Sequence, residues 1–262
     1  MCRLLGVIAN KSVEFRFSFK KFKSLGERNP DGWGVGWYDN SVKANIKKEG
    51  CSTIESEIYD SLSEKIYSNL IIEHVRLATT GKICKANSHP FEFNNWIFAH
   101  NGSVNRNCLL NKLEQDYRNG LIGDCTDSEV YFRFLLQSIN KQGGDAVQGI
   151  LCGLEKIYSI DGGRAYNFLL SDGKHLYAYR DGNSSYYSLY ILKRFNVNPY
   201  DDSNFEALSK ETQLLLTSKS LNREKAVVIC SEKITDESNW EKIEQRELVI
   251  VDKNLNITRR KI

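Results

Sequence analysis

The chain of 262 residues lacks a long apolar run, has few prolines and carries no excess of charge of either sign. No segment approaches the roughly 18 consecutive apolar residues of a membrane-spanning helix, so we expect no membrane partner. Lys and Arg total 36 against 33 Asp and Glu, well mixed, so the charge indicates no nucleic-acid partner. No secretory leader is visible at the start, and we therefore expect a cytoplasmic protein.

Signatures of disulfides and of metal sites are missing as well. The seven cysteines show no C-x-x-C spacing, and their number is odd, so neither a disulfide framework nor a zinc site is indicated. The four histidines lack the H-x-x-x-H spacing of a metal pair on a helix. We accordingly predict no metal and no cofactor.

One cysteine stands out by its position, because Cys2 directly follows Met1. An initiator Met is removed when the next residue is small, and Cys is small, so we expect the mature chain to begin at Cys2. That residue would then join a thiol nucleophile to a free α-amine. The reference pKa of an α-amine is about 7.7–8.0, which suits a general base near neutral pH. The alternatives are a buried core cysteine and a lipid-anchored cysteine, which needs a preceding apolar region.

Strands are predicted near both ends of the chain, with helices between them. One begins directly after Cys2, and three more are predicted at 33–38, 69–76 and 96–100. The last two end in polar residues on either side of a long polar loop, which is typical of the rim of a functional site. This order favours a layered α+β fold, and nothing in the composition divides residues 1–262 into more than one domain.

The middle of the chain carries the helical signals. Thr126-Asp127-Ser128-Glu129 fits a capping box, in which Thr126 is the N-cap and Glu129 reaches back to it. Apolar residues at helical spacing follow, and a second helix is predicted after the first. Residues 56–66 are also predicted to be helical. Beyond residue 165 the pattern becomes β-rich, with Asp172-Gly173 between apolar runs as a hairpin signal.

Five segments together carry a candidate active site: 2–6, 29–38, 74–91, 98–104 and 126–129. In this order and spacing they resemble the class II glutamine amidotransferases, which are N-terminal-nucleophile hydrolases with a cysteine. The likeness is closest to the stand-alone bacterial branch, in which the glutaminase domain is essentially the whole protein. It implies a four-layer αββα sandwich and a single glutaminase domain over residues 1–262.

The resemblance implies that Cys2 attacks the side-chain amide of glutamine, giving a γ-glutamyl thioester and ammonia, while its α-amine moves the protons. Asn101, through its side-chain amide, and Gly102, through its backbone N–H, would hold the oxyanion of the intermediate. Water would then release glutamate. The alternative for Asn101-Gly102 is a simple turn between a strand and a helix.

Three further residues would bind the amino-acid end of the substrate. Arg76 offers a planar fork for the α-carboxylate, Thr79 would help to hold that carboxylate, and Asp127 would bind the α-ammonium. One cation and one anion suit a small zwitterion, such as glutamine or a γ-glutamyl compound, better than a protein substrate. The alternatives are a surface ion pair for Arg76 and a favourable helix-dipole position for Asp127.

Other residues of the five segments are expected to be architectural. His89 is predicted to support its loop rather than to act as a base. Gly32, Gly34 and Gly36 are predicted to keep the strand beside Cys2 thin, because glycines inside a strand often mark a close backbone approach.

The predicted reaction is hydrolysis of the glutamine side-chain amide. Larger members of the family join this domain to a synthase that consumes the ammonia, so here we expect an unknown acceptor on a separate enzyme. One rival is a γ-glutamyl amide hydrolase that releases a larger amine from a modified small molecule. Another is a catalytically idle module that senses glutamine, which retention of Met1 would favour.

Overall fold

The computed structural model describes residues 1–14, 22–122, 126–160, 165–182, 184, 187–195, 205–206, 217–218 and 225–262. Within them, two large antiparallel sheets form the centre of the molecule. In spatial order the first sheet contains β13 (Glu241–Lys242), β9 (Tyr190–Arg194), β12 (Ala226–Cys230), β1 (Arg3–Glu14), β4 (Tyr67–Val75), β2 (Trp33–Tyr38) and β3 (Ala44–Glu49). The second contains β15 (Ile257–Lys261), β14 (Glu247–Asp252), β8 (His175–Arg180), β7 (Ala165–Ser171), β6 (Trp96–Ser103) and β5 (Phe91–Phe93). A short separate pair joins β10 (Phe205–Glu206) to β11 (Thr217–Ser218).

Helices lie outside the two sheets. They are α1 (Tyr59–Ser63), α2 (Arg106–Leu110), α3 (Gln115–Arg118), α4 (Asp127–Lys141) and α5 (Ala146–Ile160), with a 3-10 turn at Lys85–Asn87 and a helical stretch at 22–25. Among the described residues, none of these helices has the length and apolar character needed to cross a membrane. The long pair α4 and α5 packs closely because residue 149 is a glycine, whose Cβ would lie 2.3 Å from the Cα of Ile139.

Side chains alternate along each strand between the two faces of its sheet, and each face packs into a different core. In β1, Leu4 and Ile8 pack into the core between the two sheets, whereas Leu5 and Val7 pack into an outer core that includes Tyr59 of α1. The second sheet likewise shares its inner face with that central core and buries its outer face under α4 and α5. Two stacked sheets between helical layers confirm the αββα sandwich.

Several predicted elements are confirmed. The 33–38 strand is β2, which pairs with β3, and Gly173 stands at φ +84° in the turn of the β7–β8 hairpin. The predicted helix over 56–66 is too long, since only Tyr59–Ser63 is helical. The Ser56 hydroxyl accepts a hydrogen bond from the Tyr59 N–H at 3.2 Å, so the helix begins after this residue, and the chain enters β4 at Tyr67.

The predicted capping box forms only on one side. Thr126 is the N-cap of α4 and accepts from the Glu129 N–H at 3.3 Å, as predicted. Glu129 does not turn back to Thr126 as expected. Its carboxylate accepts from the Ile122 N–H at 3.2 Å and lies 3.6 Å from the Arg133 guanidinium, which is one turn further along the helix.

A carboxylic acid is buried in the outer core of the first sheet. Glu73 of β4 has 0% of its surface exposed and accepts a hydrogen bond from the Tyr59 hydroxyl. Its second oxygen has no partner among the described residues. Burial raises the pKa of Glu73 to about 8, so the group is uncharged in the folded protein at neutral pH.

This burial predicts a pH-dependent stability. The folded pKa of about 8 exceeds the unfolded value of 4.5, so the contribution of Glu73 is full below pH 4.5 and is lost as the pH rises through 8. Glu73→Gln keeps the acceptor for Tyr59 but cannot ionise. We expect the variant to match the wild type at pH 5 and to exceed its unfolding free energy at pH 8.5 by on the order of 1–3 kcal/mol.

Urea denaturation at the two pH values measures this difference. Glu57→Gln, at an exposed glutamate, is the control and should leave stability unchanged at both. A Glu73→Gln difference that is the same at pH 5 and pH 8.5 would contradict a neutral buried carboxyl.

Candidate active site

The nucleophile candidate lies at the start of β1, beside the end of β4. Arg3 pairs with Val75, so Cys2 stands opposite Arg76 one position further along. On this register Cys2 and Arg76 share the sheet face of Leu4 and His74, which is the face turned toward the second sheet. The Cys2 sulfur lies 3.4 Å from the Leu77 backbone nitrogen and 3.5 Å from the Leu77 carbonyl oxygen.

The electrostatic setting keeps this thiol protonated. Burial raises the pKa of Cys2, and the Leu77 N–H and the Arg76 guanidinium only partly oppose that rise. A thiol of this kind needs a base to become a nucleophile. Burial also lowers the pKa of the amine at the start of the chain, here that of Met1, which favours the unprotonated form of an amine at this place.

Two side chains hold the Met1 backbone in position. The Met1 carbonyl oxygen accepts from Asn29 Nδ2 at 2.6 Å and from Arg3 Nη1 at 3.0 Å. The Arg3 guanidinium also donates to the Cys2 carbonyl oxygen at 3.2 Å and pairs with Glu232 at 3.2 Å. The first residues are therefore anchored from several sides.

The turn at residues 29–32 connects this anchor to Arg76. The Arg76 N–H donates to the Gly32 carbonyl at 2.7 Å, and the Asp31 N–H donates to the Arg76 carbonyl at 3.1 Å. The Asp31 carboxylate accepts from the Ala78 N–H at 2.8 Å. One turn thus fixes the start of the chain and the start of the loop after β4.

The guanidinium of Arg76 organises that loop. It is 4% exposed, and it donates from Nη2 to the Thr80 carbonyl at 2.7 Å and from Nη1 to the Lys82 carbonyl at 3.0 Å. Arginine has five N–H donors, so these two bonds leave others for an anion. The alternative of a surface ion pair for Arg76 is wrong, because the side chain is buried on backbone carbonyls. Thr79 lies in the same loop and is exposed.

Asn101 and Gly102 do not form a turn, as the alternative held, but lie within β6. Asn101 lies on the same face of β6 as Ile97 and Ala99, which belong to the central core between the sheets. By its register, Cys2 points toward this core from the first sheet. The Asn101 side chain is 2% exposed, and its Nδ2 has no partner among the described residues. An unpaired buried amide donor is costly, so this atom is set up to donate to a bound group.

Gly102 is required by a close backbone contact. A Cβ at this position would lie 2.0 Å from the Ala165 carbonyl oxygen on β7 and 2.9 Å from Nε2 of His100. Any side chain would therefore displace the strand that carries Asn101.

Asp127 opens α4 and is tied to the end of β6. Its carboxylate accepts from the Val104 N–H and from the Ser128 N–H, both at 2.9 Å. These bonds place Asp127 beside the segment that follows Asn101 and Gly102. Oδ1 also accepts from the Ser128 hydroxyl at 3.4 Å, whereas Oδ2 keeps a further lone pair, so a bound ammonium remains compatible with these bonds.

Three buried histidines, of which only His89 was assigned a role from the sequence, link the parts of the site. The ring centres of His74 and His89 lie 4.3 Å apart with the planes tilted by 33°, and His89 Nδ1 accepts from the His100 N–H at 3.2 Å. His100 Nδ1 lies 2.9 Å from the Ser128 hydroxyl, next to Asp127. Burial lowers the pKa of all three, that of His74 to about 3, so they are neutral at ordinary pH. This supports the predicted loop-holding role of His89.

The strand with the glycines lies one place further from Cys2 than expected. Because β2 pairs with β4 and β3, the predicted position beside the strand of Cys2 is wrong. The expected close approach is confirmed, since a Cβ at Gly34 would lie 2.2 Å from the His89 carbonyl oxygen. The thin strand makes room for the loop and not for the nucleophile.

Lys48 is a functional candidate without a motif in the sequence. Its ammonium donates to the Ser88 carbonyl at 2.6 Å and to the Ala86 carbonyl at 3.4 Å, and it lies 4.6 Å from the centre of the Phe91 ring. Burial lowers the pKa of Lys48 to about 8. The lysine therefore fastens the far end of the loop whose near end Arg76 holds.

Comparisons of this chain with known proteins agree on one family. The family described as glutamine amidotransferases class-II matches residues 1–259 of the chain. An uncharacterized protein of Methanocaldococcus jannaschii is 33% identical, over 95% of this chain and 69% of the relative. The putative glutamine amidotransferase YafJ of Escherichia coli is 28% identical, over 93% of this chain and 94% of the relative.

Two further matches are a relative whose name specifies a different reaction and a solved structure. The γ-glutamyl-hercynylcysteine sulfoxide hydrolase of Mycobacterium tuberculosis is 27% identical, over 68% of this chain and 71% of the relative. A glutamine aminotransferase class-II domain protein from Silicibacter pomeroyi has a TM-score of 0.65 at 18% identity, covering 100% of this chain and 99% of that one. The likeness of the structures supports the fold, which is the sandwich of the N-terminal-nucleophile hydrolase type.

The position of Lys48 predicts how the loop is held. Lys48→Met keeps the apolar stem but loses both bonds to carbonyls, and hydrogen bonds of a charged group are worth about 1.5–3 kcal/mol. We expect the backbone amides of Asn87 and Ser88 to exchange with solvent at least about tenfold faster, as hydrogen-exchange mass spectrometry can measure.

Lys47→Met is the matched control, because Lys47 lies on the opposite face of β3. Unchanged exchange at residues 86–88 in Lys48→Met would show that the loop does not depend on this lysine.

Proposed function

The chain belongs to the class II glutamine amidotransferases, and from this we propose that it is a Cys-dependent enzyme that hydrolyses the side-chain amide of glutamine. The catalytic unit is one glutaminase domain over residues 1–262, and the mature enzyme begins at Cys2. The observation that carries the proposal is the unpaired, buried Nδ2 of Asn101. It lies on the second sheet and faces the same core as the Cys2 sulfur on the first sheet. A thiol on one sheet and an oxyanion donor on the facing sheet suit acyl transfer between them.

In the proposed first step, the sulfur of Cys2 attacks the side-chain carbonyl carbon of glutamine and passes its proton to the α-amine. Asn101 Nδ2 and the Gly102 N–H donate to the oxyanion that forms. The ammonium of Cys2 then returns the proton to the leaving nitrogen, ammonia departs, and a γ-glutamyl thioester remains. Water adds to the thioester with the same amine as base, and glutamate leaves.

Arg76, Asp127 and Thr79 are proposed to select the substrate by its charged end. The Arg76 fork binds the α-carboxylate with the donors that the loop carbonyls leave unused, and Asp127 binds the α-ammonium. Thr79 is exposed in the present loop position, so its proposed contact with the carboxylate requires the loop to move. The ammonia would pass to a separate acceptor enzyme.

A second candidate function follows from one relative. The γ-glutamyl-hercynylcysteine sulfoxide hydrolase shares the family, and its name specifies a γ-glutamyl bond to something larger than ammonia. The same residues would cleave such a bond, because the nucleophile and the charged-end contacts do not depend on the leaving group. Parallel assays with glutamine and with a γ-glutamyl amide of a larger amine distinguish the two.

Substitution of the nucleophile tests the proposal. Cys2→Ala removes the sulfur but keeps a small second residue, so we expect loss of glutamate formation from both substrates with a melting temperature close to that of the wild type. Cys152→Ala on α5 is the matched control and should keep full turnover. Intact-mass measurement checks that Met1 is absent from the active wild type. Undiminished turnover in Cys2→Ala would end the proposal.

Substitution of Arg76 tests whether this side chain binds the α-carboxylate of the substrate. Arg76→Lys keeps the charge but loses the planar fork, so we expect the KM for glutamine to rise at least about tenfold. The substrate 4-aminobutanamide, which lacks the α-carboxylate, separates binding from loop disorder, because its kcat/KM should be nearly the same in variant and wild type. An equal loss for both amides would mean that Arg76 acts on the loop alone.

A further inference from the structure

A buried asparagine lies next to the atom that becomes the free amine. Asn29 is 3% exposed and stands at the start of the 29–32 turn. Its Nδ2 donates to the Met1 carbonyl oxygen at 2.6 Å. That oxygen and the Cys2 nitrogen belong to the same planar peptide group, so the Asn29 amide lies within one peptide group of the Cys2 nitrogen.

Removal of Met1 changes the surroundings of Asn29 more than those of its neighbour. Arg3 loses the Met1 oxygen but keeps the Cys2 carbonyl oxygen and the Glu232 carboxylate. Asn29 loses the acceptor of its Nδ2 bond, and the nitrogen that was bonded to the same carbon becomes an amine with N–H donors. The two ends of an asparagine amide have nearly the same shape, so a half rotation presents Oδ1 to that amine.

We infer that Asn29 is a positioning residue, which accepts an N–H of the Cys2 α-amine and thereby directs the lone pair of this amine at the Cys2 sulfur. The inference rests on the proposed function, since it concerns the same base. Holding a base in one orientation is worth a large factor, because a misdirected lone pair cannot take the thiol proton.

The charges around the amine explain why an amide suits this place. The titratable and charged groups that the structure places around Met1 and Cys2 are the Cys2 thiol, the Arg3 guanidinium with its partner Glu232, and the Arg76 guanidinium, which acts on the thiol. A carboxylate at position 29 would favour the ammonium and so remove the base at neutral pH. A neutral acceptor orients the amine at little cost to its basicity.

The pH dependence of kcat/KM tests the inference with the enzyme that lacks Met1, as verified by intact mass. Asn29→Asp should move the acid limb to higher pH by about one unit. Asn29→Ala should lower kcat about 10- to 100-fold with KM nearly unchanged, and should move the acid limb slightly to lower pH. Asn239→Ala, at another amide that donates to a backbone carbonyl, is the control and should match the wild type.

The decisive result is that the acid limb of the pH profile moves to higher pH in Asn29→Asp and to lower pH in Asn29→Ala. If both Asn29 variants keep the wild-type limb, Asn29 does not act on the amine, even when kcat falls. If Asn29→Ala does not fold, the pH position of the acid limb in Asn29→Asp alone decides the question. An inactive wild type would instead refute the proposed function, so the two failures are distinguishable.

Discussion

The antiparallel pairing of β1 with β4 determines where the site forms. Because Arg3 lies opposite Val75, the sulfur of Cys2 and the guanidinium of Arg76 emerge side by side on the inner face of the sheet. A shift of β1 by one residue would turn the Cys2 side chain to the outer face, away from Arg76. The register is secured by the core itself, since the same shift would bring Leu4 out of the central core.

Around this pairing, one buried and one half-buried cation donate hydrogen bonds to backbone carbonyls. Arg76 holds the near part of the loop after β4 and Lys48 holds its far part, in each case by two bonds to carbonyl oxygens. Carbonyl dipoles satisfy part of the hydrogen-bonding demand of a buried cation without neutralising its charge. Both side chains therefore keep their positive charge in this loop, and the carboxylate that acts electrostatically on Lys48 is that of Glu129.

The sequence was sufficient for the parts of the fold that local patterns determine. The 33–38 strand, the Asp172-Gly173 hairpin and the N-cap at Thr126 follow from alternation, turn chemistry and capping, and each is confirmed. The order of strands in the sheet is a long-range property, so β2 was expected beside Cys2 although β4 lies between them. For the same reason the reach of Glu129 to Ile122 had no signal, because it depends on the path of the preceding segment.

The candidate site divides in the same way. The resemblance at the five segments pointed to Cys2, Arg76 and Asn101, whose roles in acyl transfer from a small zwitterion stay predictions. Lys48 had no motif, because its role is defined by the loop that folds over it from some 40 positions later in the chain. The role of Asn29 was equally invisible, because its partner is a backbone oxygen at the first residue.

Burial leaves the chain's own amine as the suitable base in this region. His74, His89 and His100 are neutral there, but their rings contact one another or bond to backbone and hydroxyl groups, and burial opposes the positive charge that a general base must accept. A charged imidazolium among them would be an unpaired buried charge. In the proposed mechanism the α-amine of Cys2 needs no such change, because it belongs to the same residue as the thiol and receives the proton over a short path. The raised pKa of the thiol would then favour the return of the proton once glutamate has left the sulfur.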